Sequence, residues 1–323
     1  MKLDGFLLAI ISAVVLALAA PALGLPDGPL HLGLVTKLGI ALVFFLHGAN
    51  LSPAALRAGA GNWRVHLVVQ GATYGLFPAL GFALYFGLAP WLGAEARLGI
   101  FFLCALSSTI SSSVAMTSLA GGNVAAAVFD ASLSGILGMV ITPALVALIV
   151  SVEGRGIALL PAIRDVMATL LLPFAAGQAL RGLVAPVLAA RRPLVQMLDR
   201  GVIVLIVYSA FAESTASGLW HSQSPLVIAA IGVIAAALLA LVLVVTTLLS
   251  RALRFPLADE ITTVFCGSKK SLANGAPIAR ILFAGHPGLG MIMLPLLLYH
   301  QLQLVVCAVM ARRYAVRTGT GEG

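Results

Sequence analysis

Apolar residues run along this chain in long stretches, separated by short connections rich in arginine, proline and glycine. Each stretch approaches or exceeds the roughly 20 residues a helix needs to cross a bilayer. Ten are predicted, over 5–23, 32–51, 65–89, 98–118, 124–150, 158–180, 195–216, 225–249, 260–284 and 288–311. The expected fold is therefore an all-α polytopic membrane protein. Ten spans divide into two sets of five, and because five is odd the second set starts on the opposite face. The expected organisation is thus a pair of inverted five-helix repeats, residues 1–154 and 155–323, forming one membrane domain. A short echo supports it: Thr117-Ser-Leu-Ala-Gly-Gly-Asn123 follows span four, and Lys270-Ser-Leu-Ala-Asn-Gly-Ala276 lies in span nine. Interrupted apolar segments at matching places in two halves are a pointer to a transporter binding site.

Composition agrees and excludes a soluble domain. Hydrophobic residues make up 61% and charged residues 9%, whereas soluble domains carry roughly 25% charged residues. The net charge of +8 does not point to nucleic acid, because the arginines mark connections instead of forming a patch. Lys2, Arg57, Arg64, Arg181, Arg191, Arg192, Arg200, Arg251, Arg254, Arg312, Arg313 and Arg317 fall on one side, and chiefly Arg97, Arg155 and Arg164 on the other. The positive-inside rule then places both termini in the cytoplasm of a cell (inner) membrane protein. The first segment also reads as a secretory signal, with a basic start, an apolar run and an Ala-Ala-Pro-Ala end. Cys104, Cys266 and Cys307 are odd in number and imply no disulfide framework. The sequon at Asn50 is set aside because it adjoins arginine-bearing connections.

The costliest residues locate the candidate chemistry. The chain has four lysines, and two of them, Lys269 and Lys270, sit together in an apolar stretch bracketed by Gly267, Gly275 and Pro277. A charged side chain at bilayer depth marks a functional site with a partner to be found; the other reading is a cytoplasmic loop. Glycine, Asn274 and proline predict an unwound helix there, which is tolerated only where protein or a cavity covers it. Span four carries a matching irregularity: Ser107, Ser108, Thr109, Ser111, Ser112 and Ser113, six hydroxyls within seven residues. They line a cavity or mediate close helix packing. Half-helix N-termini at such breaks favour an anionic group. Adjacent residues on a helix point about 100° apart, so one lysine is expected to face the cavity and the other to pair with an acid, preferably Asp130. Glu213 reads as interfacial. Tyr299, His300 and Gln301 put polar groups inside span ten as a cavity wall, with His47, Gln70 and Thr73 as weaker signals. Gly71 and Gly75 fit a small-xxx-small spacing, but such patterns are common in helices rich in glycine and alanine, so it is given no weight. No metal-ligand spacing and no cofactor motif appears, and Ser268-Lys269 lacks the geometry of a hydrolytic pair, so no enzyme is expected.

Phe265-Cys-Gly-Ser-Lys-Lys-Ser-Leu-Ala-Asn-Gly-Ala-Pro-Ile-Ala279 and Leu294-Pro-Leu-Leu-Leu-Tyr-His-Gln-Leu-Gln-Leu-Val-Val-Cys-Ala-Val-Met-Ala-Arg-Arg-Tyr314 resemble the bile acid:sodium symporter family. The closest likeness is to its sodium-symporter-like branch, which holds bacterial YfeH-type proteins and solute carrier family 10 member 7. The resemblance extends over the whole chain, including Phe44 to Ser52. It implies ten helices in two inverted repeats, helices four and nine broken and crossing, helices one, two, six and seven as a panel against a core, and alternating access between them. Sodium-coupled members carry Glu-x-Gly-x-Gln-Asn on helix nine, where Phe265, Lys269 and Lys270 stand here. They carry Ser-Asn on helix four, where Ser113 and Val114 stand here. Ammonium groups and sodium repel in a low dielectric, so familiar sodium coupling is not expected, and a lysine is a candidate proton carrier.

The function expected from these observations is secondary transport of a small organic anion within the lipid bilayer. The substrate-binding candidates are Thr109, Ser111, Ser112, Ser113, Lys270, Ser271, Asn274, Tyr299, His300 and Gln301; Lys269, Lys270 and Asp130 are the charge-compensating candidates. Lys270 contacts the anion or stands in for sodium. Two alternatives differ in class: a monovalent cation/proton exchanger using Asp130 with a buried lysine, and a membrane protein that has lost transport and acts by partner binding.

Overall fold

The structure is a computed structural model that describes residues 5–152 and 164–318. Lys2, Arg155, the expected repeat boundary at 154/155 and the start of the sixth predicted stretch lie outside the described residues. Among the described residues every regular element is helical. The main helices are α1 (Gly5–Ala19), α2 (Leu32–Asn50), α3 (Trp63–Gly87), α4 (Ala94–Ala105), α5 (Ser111–Leu119), α6 (Val124–Val152), α7 (Arg164–Ala179), α8 (Arg181–Ala190), α9 (Arg192–Ala216), α10 (Pro225–Ala252), α11 (Leu257–Ser268), α12 (Leu272–Leu282) and α13 (Leu289–Thr318). Each of the ten predicted stretches contains one helix or one broken pair.

Six helices, α2, α3, α6, α9, α10 and α13, are individually long and apolar enough to cross a membrane. The bent pair α7 and α8, turning by 90°, makes a seventh if counted as one span. The other stretches fall short for visible reasons. α1 has 15 residues, and the fourth and ninth stretches are divided in the middle, at Leu106–Ile110 and at Lys269–Ser271. α10 has 28 residues, apolar without interruption from Pro225 to Val245, and is capped by Ser224, whose Oγ accepts from the Leu226 N–H at 3.2 Å. That helix is about 42 Å long, enough to cross with room for tilt.

The helices sort into two groups. In one, α1 packs on α9, and α2 packs on both α7 and α9. α2 and α7 approach backbone to backbone: a Cβ on Gly48 would lie 2.0 Å from the Phe174 carbonyl oxygen, and one on Gly177 would lie 2.0 Å from that of Phe45. Only glycine permits this separation. In the other group α3 packs on α4, α6 and α11, α10 on α11 and α13, α4 on α13, and α5 on α6, α11 and α13. Asp259 ties the helix ends of this group together, accepting from Asn62 at 2.7 Å and from Asn123 at 2.9 Å.

The motif at Gly71 and Gly75 is not a packing site. Both residues are exposed, and a Cβ at either would meet nothing within 4 Å. Gly71 precedes a π-helical turn, Ala72–Leu76, and Gly75 lies within it; Pro78 follows. A missing proline N–H and a widened turn both free carbonyls from the helical ladder.

Candidate functional site

The two breaks meet. The Ser271 N–H donates to the Ser107 carbonyl at 2.9 Å, Asn274 Nδ2 to Ser107 Oγ at 3.0 Å, Ser108 Oγ to the Cys266 carbonyl at 2.6 Å, and Ser113 Oγ to the Phe265 carbonyl at 3.3 Å. Ser134 Oγ accepts from the Ser108 N–H at 2.9 Å. The hydroxyl block is therefore largely consumed in satisfying backbone that the breaks leave unpaired. Ser271 caps α12, its Oγ accepting from the Asn274 N–H at 3.1 Å. Thr109 does the same for α5, with its Oγ1 accepting from the Ser113 N–H at 3.2 Å and lying 2.6 Å from Ser112 Oγ.

Among the described residues, neither lysine pairs with an acid. Lys270 is fully buried, and its Nζ donates to the carbonyls of Thr73 (3.1 Å), Cys104 (2.9 Å) and Leu106 (2.6 Å), 4.0 Å from the Phe77 ring centre. The Thr73 carbonyl belongs to the π-helical turn, and those of Cys104 and Leu106 to the broken end of α4. An ammonium also opposes the partial negative charge of that C-terminus. Lys269, also fully buried, donates from Nζ to the Ser112 carbonyl at 2.7 Å and lies 5.4 Å from the Phe265 ring. The expected lysine partner, Asp130, instead lies 3.1 Å from His66 Nδ1 and accepts from Gln70 Nε2 at 3.3 Å. Glu213 is 10% exposed and ion-paired with Arg280.

Below the crossing lies a cavity of about 750 Å³, bounded by α2, α7 and α9 on one side and by α5, α6, α12 and α13 on the other. Of the predicted site residues, Thr109, Ser111, Ser112, Ser271, Asn274 and His300 line it. Ser113, Lys269, Lys270, Tyr299, Gln301 and Asp130 do not. Tyr299 is fully buried and donates to the Ser268 carbonyl at 2.6 Å, closing the end of α11. The first turns of α5 and α12 both contribute to the cavity wall, so two helix N-termini face it. Arg200 and Asp199 stand on its opposite wall.

Gln303 was missed by the sequence reading. Its Oε1 accepts from the Lys270 N–H at 2.8 Å, and its Nε2 donates to the Lys270 carbonyl at 2.8 Å and lies 3.0 Å from His300 Nδ1. It replaces both ladder bonds that the break removes from Lys270. The available signal was its spacing: Tyr299, Gln303 and Cys307 recur every four residues and share one buried face.

Comparison with known proteins agrees with this architecture. The family model described as the SBF-like CPA transporter family matches residues 4–316. An uncharacterized protein of Pseudomonas aeruginosa is 48% identical over 314 residues, 97% of this chain and 93% of its own. YfeH of Escherichia coli, a candidate symporter by name, is 44% identical over 98% of this chain and 94% of its own. Sodium/bile acid cotransporter 7 of Danio rerio is 28% identical over 95% and 92%. The family and its named relatives are transporters and symporters, which assigns this membrane protein to solute transport and not to catalysis. The chain belongs to the SBF-like CPA transporter family.

Proposed function

We propose that the protein carries a small organic anion across the cell inner membrane by alternating access, without a dissociable sodium ion at the crossing. The observation that carries this reading is the cavity: it lies between the two helix groups and receives the first turns of both α5 and α12. Helix N-termini present unpaired N–H groups and partial positive charge, so they favour an anion. Thr109, Ser111, Ser112, Ser271, Asn274 and His300 supply the polar contacts.

The helix pairings support two inverted repeats that meet near residue 155. α1 on α9 is matched by α7 on α2, α3 on α6 by α10 on α13, and α5 on α6 by α12 on α13. In this reading α1, α2, α7 and α9 move against the remaining helices. The cavity opens toward the side of the arginine-rich connections, which the positive-inside rule makes cytoplasmic.

Lys270 acts here as a built-in cation. Three carbonyls at 2.6 to 3.1 Å surround its ammonium, an arrangement that elsewhere in proteins serves a bound metal ion. Lys269 holds the start of α5 in place. Although some relatives are named sodium cotransporters, this geometry needs no sodium, and a proton is the coupling ion to be tested.

The experiment is a counterflow screen of carboxylates, sulfonates and phosphate esters in proteoliposomes, with and without sodium and a pH gradient. An anion is expected to exchange without sodium. Ser111→Phe, which fills the cavity, and Lys270→Met, which removes the internal cation, should each abolish exchange in protein that remains monodisperse. Wild-type protein that moves none of these classes, or variants that exchange as wild type does, would overturn the proposal.

A further inference from the structure

Two cavities lie along α12. The large one touches its N-terminal residues, Ser271 to Asn274, and a second, of about 420 Å³, touches its C-terminal Arg280 and Ile281. Thr36 and Lys37 of α2 and Asp165 and Thr169 of α7 complete the second cavity. Between the two, Gly275 to Ala279 are buried, so α12 runs through a seal.

The bonds of that seal lie on the small-cavity side. Arg280 of α12 is ion-paired with Glu213 of α9, each side chain 10% exposed, and Ser209 Oγ donates to Glu213 at 3.3 Å. One residue on, Ser214 Oγ donates to the Pro287 carbonyl at 2.9 Å and accepts from the Gly290 N–H at 2.9 Å. At its other end α9 presents Gln196, Asp199, Arg200 and Ile203 to the large cavity. The same helix is thus bonded to the second group at one end and parted from it at the other.

We propose that Arg280 is the anion-receiving group at the small-cavity mouth: Glu213 is its partner in this closed arrangement, and an anionic group of carboxylate class on the transported solute takes Glu213's place when α9 and α12 separate. This rests on the alternating-access reading. Parting the helices with nothing in exchange leaves a guanidinium unpaired in a shielded site, which is strongly disfavoured. A carboxylate presents two oxygens to the guanidinium fork and removes that penalty. Lys37 adds positive charge beside the same cavity. Asp165, which also lines it, opposes an anion, but its side chain is 66% exposed and screened by solvent. The pair therefore closes the empty carrier and admits opening when an anion replaces Glu213.

Substituted-cysteine labelling tests this without measuring flux. The native Cys104, Cys266 and Cys307 are buried, so a cysteine placed at Thr36, which lines the small cavity and is 1% exposed, reports opening to a membrane-impermeant maleimide. Glu213→Ala is expected to raise the labelling rate about tenfold, the factor a modest population shift produces. In the wild type, millimolar sodium acetate, whose carboxylate competes with Glu213 for Arg280, should likewise raise the rate, whereas sodium chloride should not. In Glu213→Ala combined with Arg280→Ala, acetate should have no effect. Glu213→Gln provides a second, nearly isosteric variant if Glu213→Ala does not yield folded protein. Unchanged labelling in the folded variant, or an acetate effect that persists without Arg280, would overturn the assignment. Failure of the counterflow screen leaves this readout intact, so the two proposals fail separately.

Discussion

An ammonium group has three protons to donate, and Lys270 finds three carbonyls for them. The Phe77 face at 4.0 Å adds about 2 kcal/mol when desolvated, so every donor of a charge that is costly at this depth has a partner. Gln303 completes the arrangement by satisfying the Lys270 main chain, and this leads to a prediction. Gln303→Leu strands one buried N–H and one buried carbonyl, costing about 2 to 4 kcal/mol, while Gln301→Leu, two residues away, should cost under about 1 kcal/mol. Thermal unfolding of both variants in detergent checks this; equal losses would refute the role given to Gln303. The lysines were legible in the sequence as costly residues, but their partners were not. A sequence displays candidate acids such as Asp130 and hides main-chain carbonyls, which become partners only where a helix breaks.

Whole elements obey the same accounting of backbone groups. Both broken helices were legible, because glycine, asparagine, proline and clustered hydroxyls all mark places where an apolar helix cannot continue. The glycine spacing in α3 carries no helix contact, as its commonness in helices rich in glycine and alanine implied, and it accompanies a π-helical turn instead. The real close approach is at Gly48 and Gly177, which lie in different helices and share no local motif. Gly48→Ala is therefore expected to force α2 and α7 apart and cost several kcal/mol, as overpacking against main chain does. Gly71→Ala, with open space at its Cβ, should be neutral or stabilise by up to about 1 kcal/mol. Yield of monodisperse protein and its melting temperature separate the two; a similar loss for both would remove the distinction.

For the molecule as a whole, a panel of four helices against a core is what the family resemblance implies; α1 packs on α9 and α2 on α7 and α9, while α9 also packs on α12 and α13. What the sequence could not supply was the state of the carrier: a cavity on one side of α12 and a seal of ion pair and hydrogen bonds on the other require three-dimensional placement of Glu213, Arg280 and Ser214. The tethered ammonium of Lys270 bears on the direction of transport. A sodium ion that binds and leaves on opposite sides delivers the energy of its gradient, whereas the ammonium of Lys270 is tethered and delivers none. If it keeps its proton throughout the cycle, a monovalent anion crosses with its charge unbalanced, and turnover is electrogenic. A potential of 100 mV, negative inside, then contributes about 2.3 kcal/mol per charge, enough for about 50-fold depletion. Such a carrier runs outward, as an exporter driven by voltage. Imposing a potassium diffusion potential on proteoliposomes should accelerate or reverse monoanion flux according to its sign, and flux indifferent to voltage would show that a compensating ion travels with the solute.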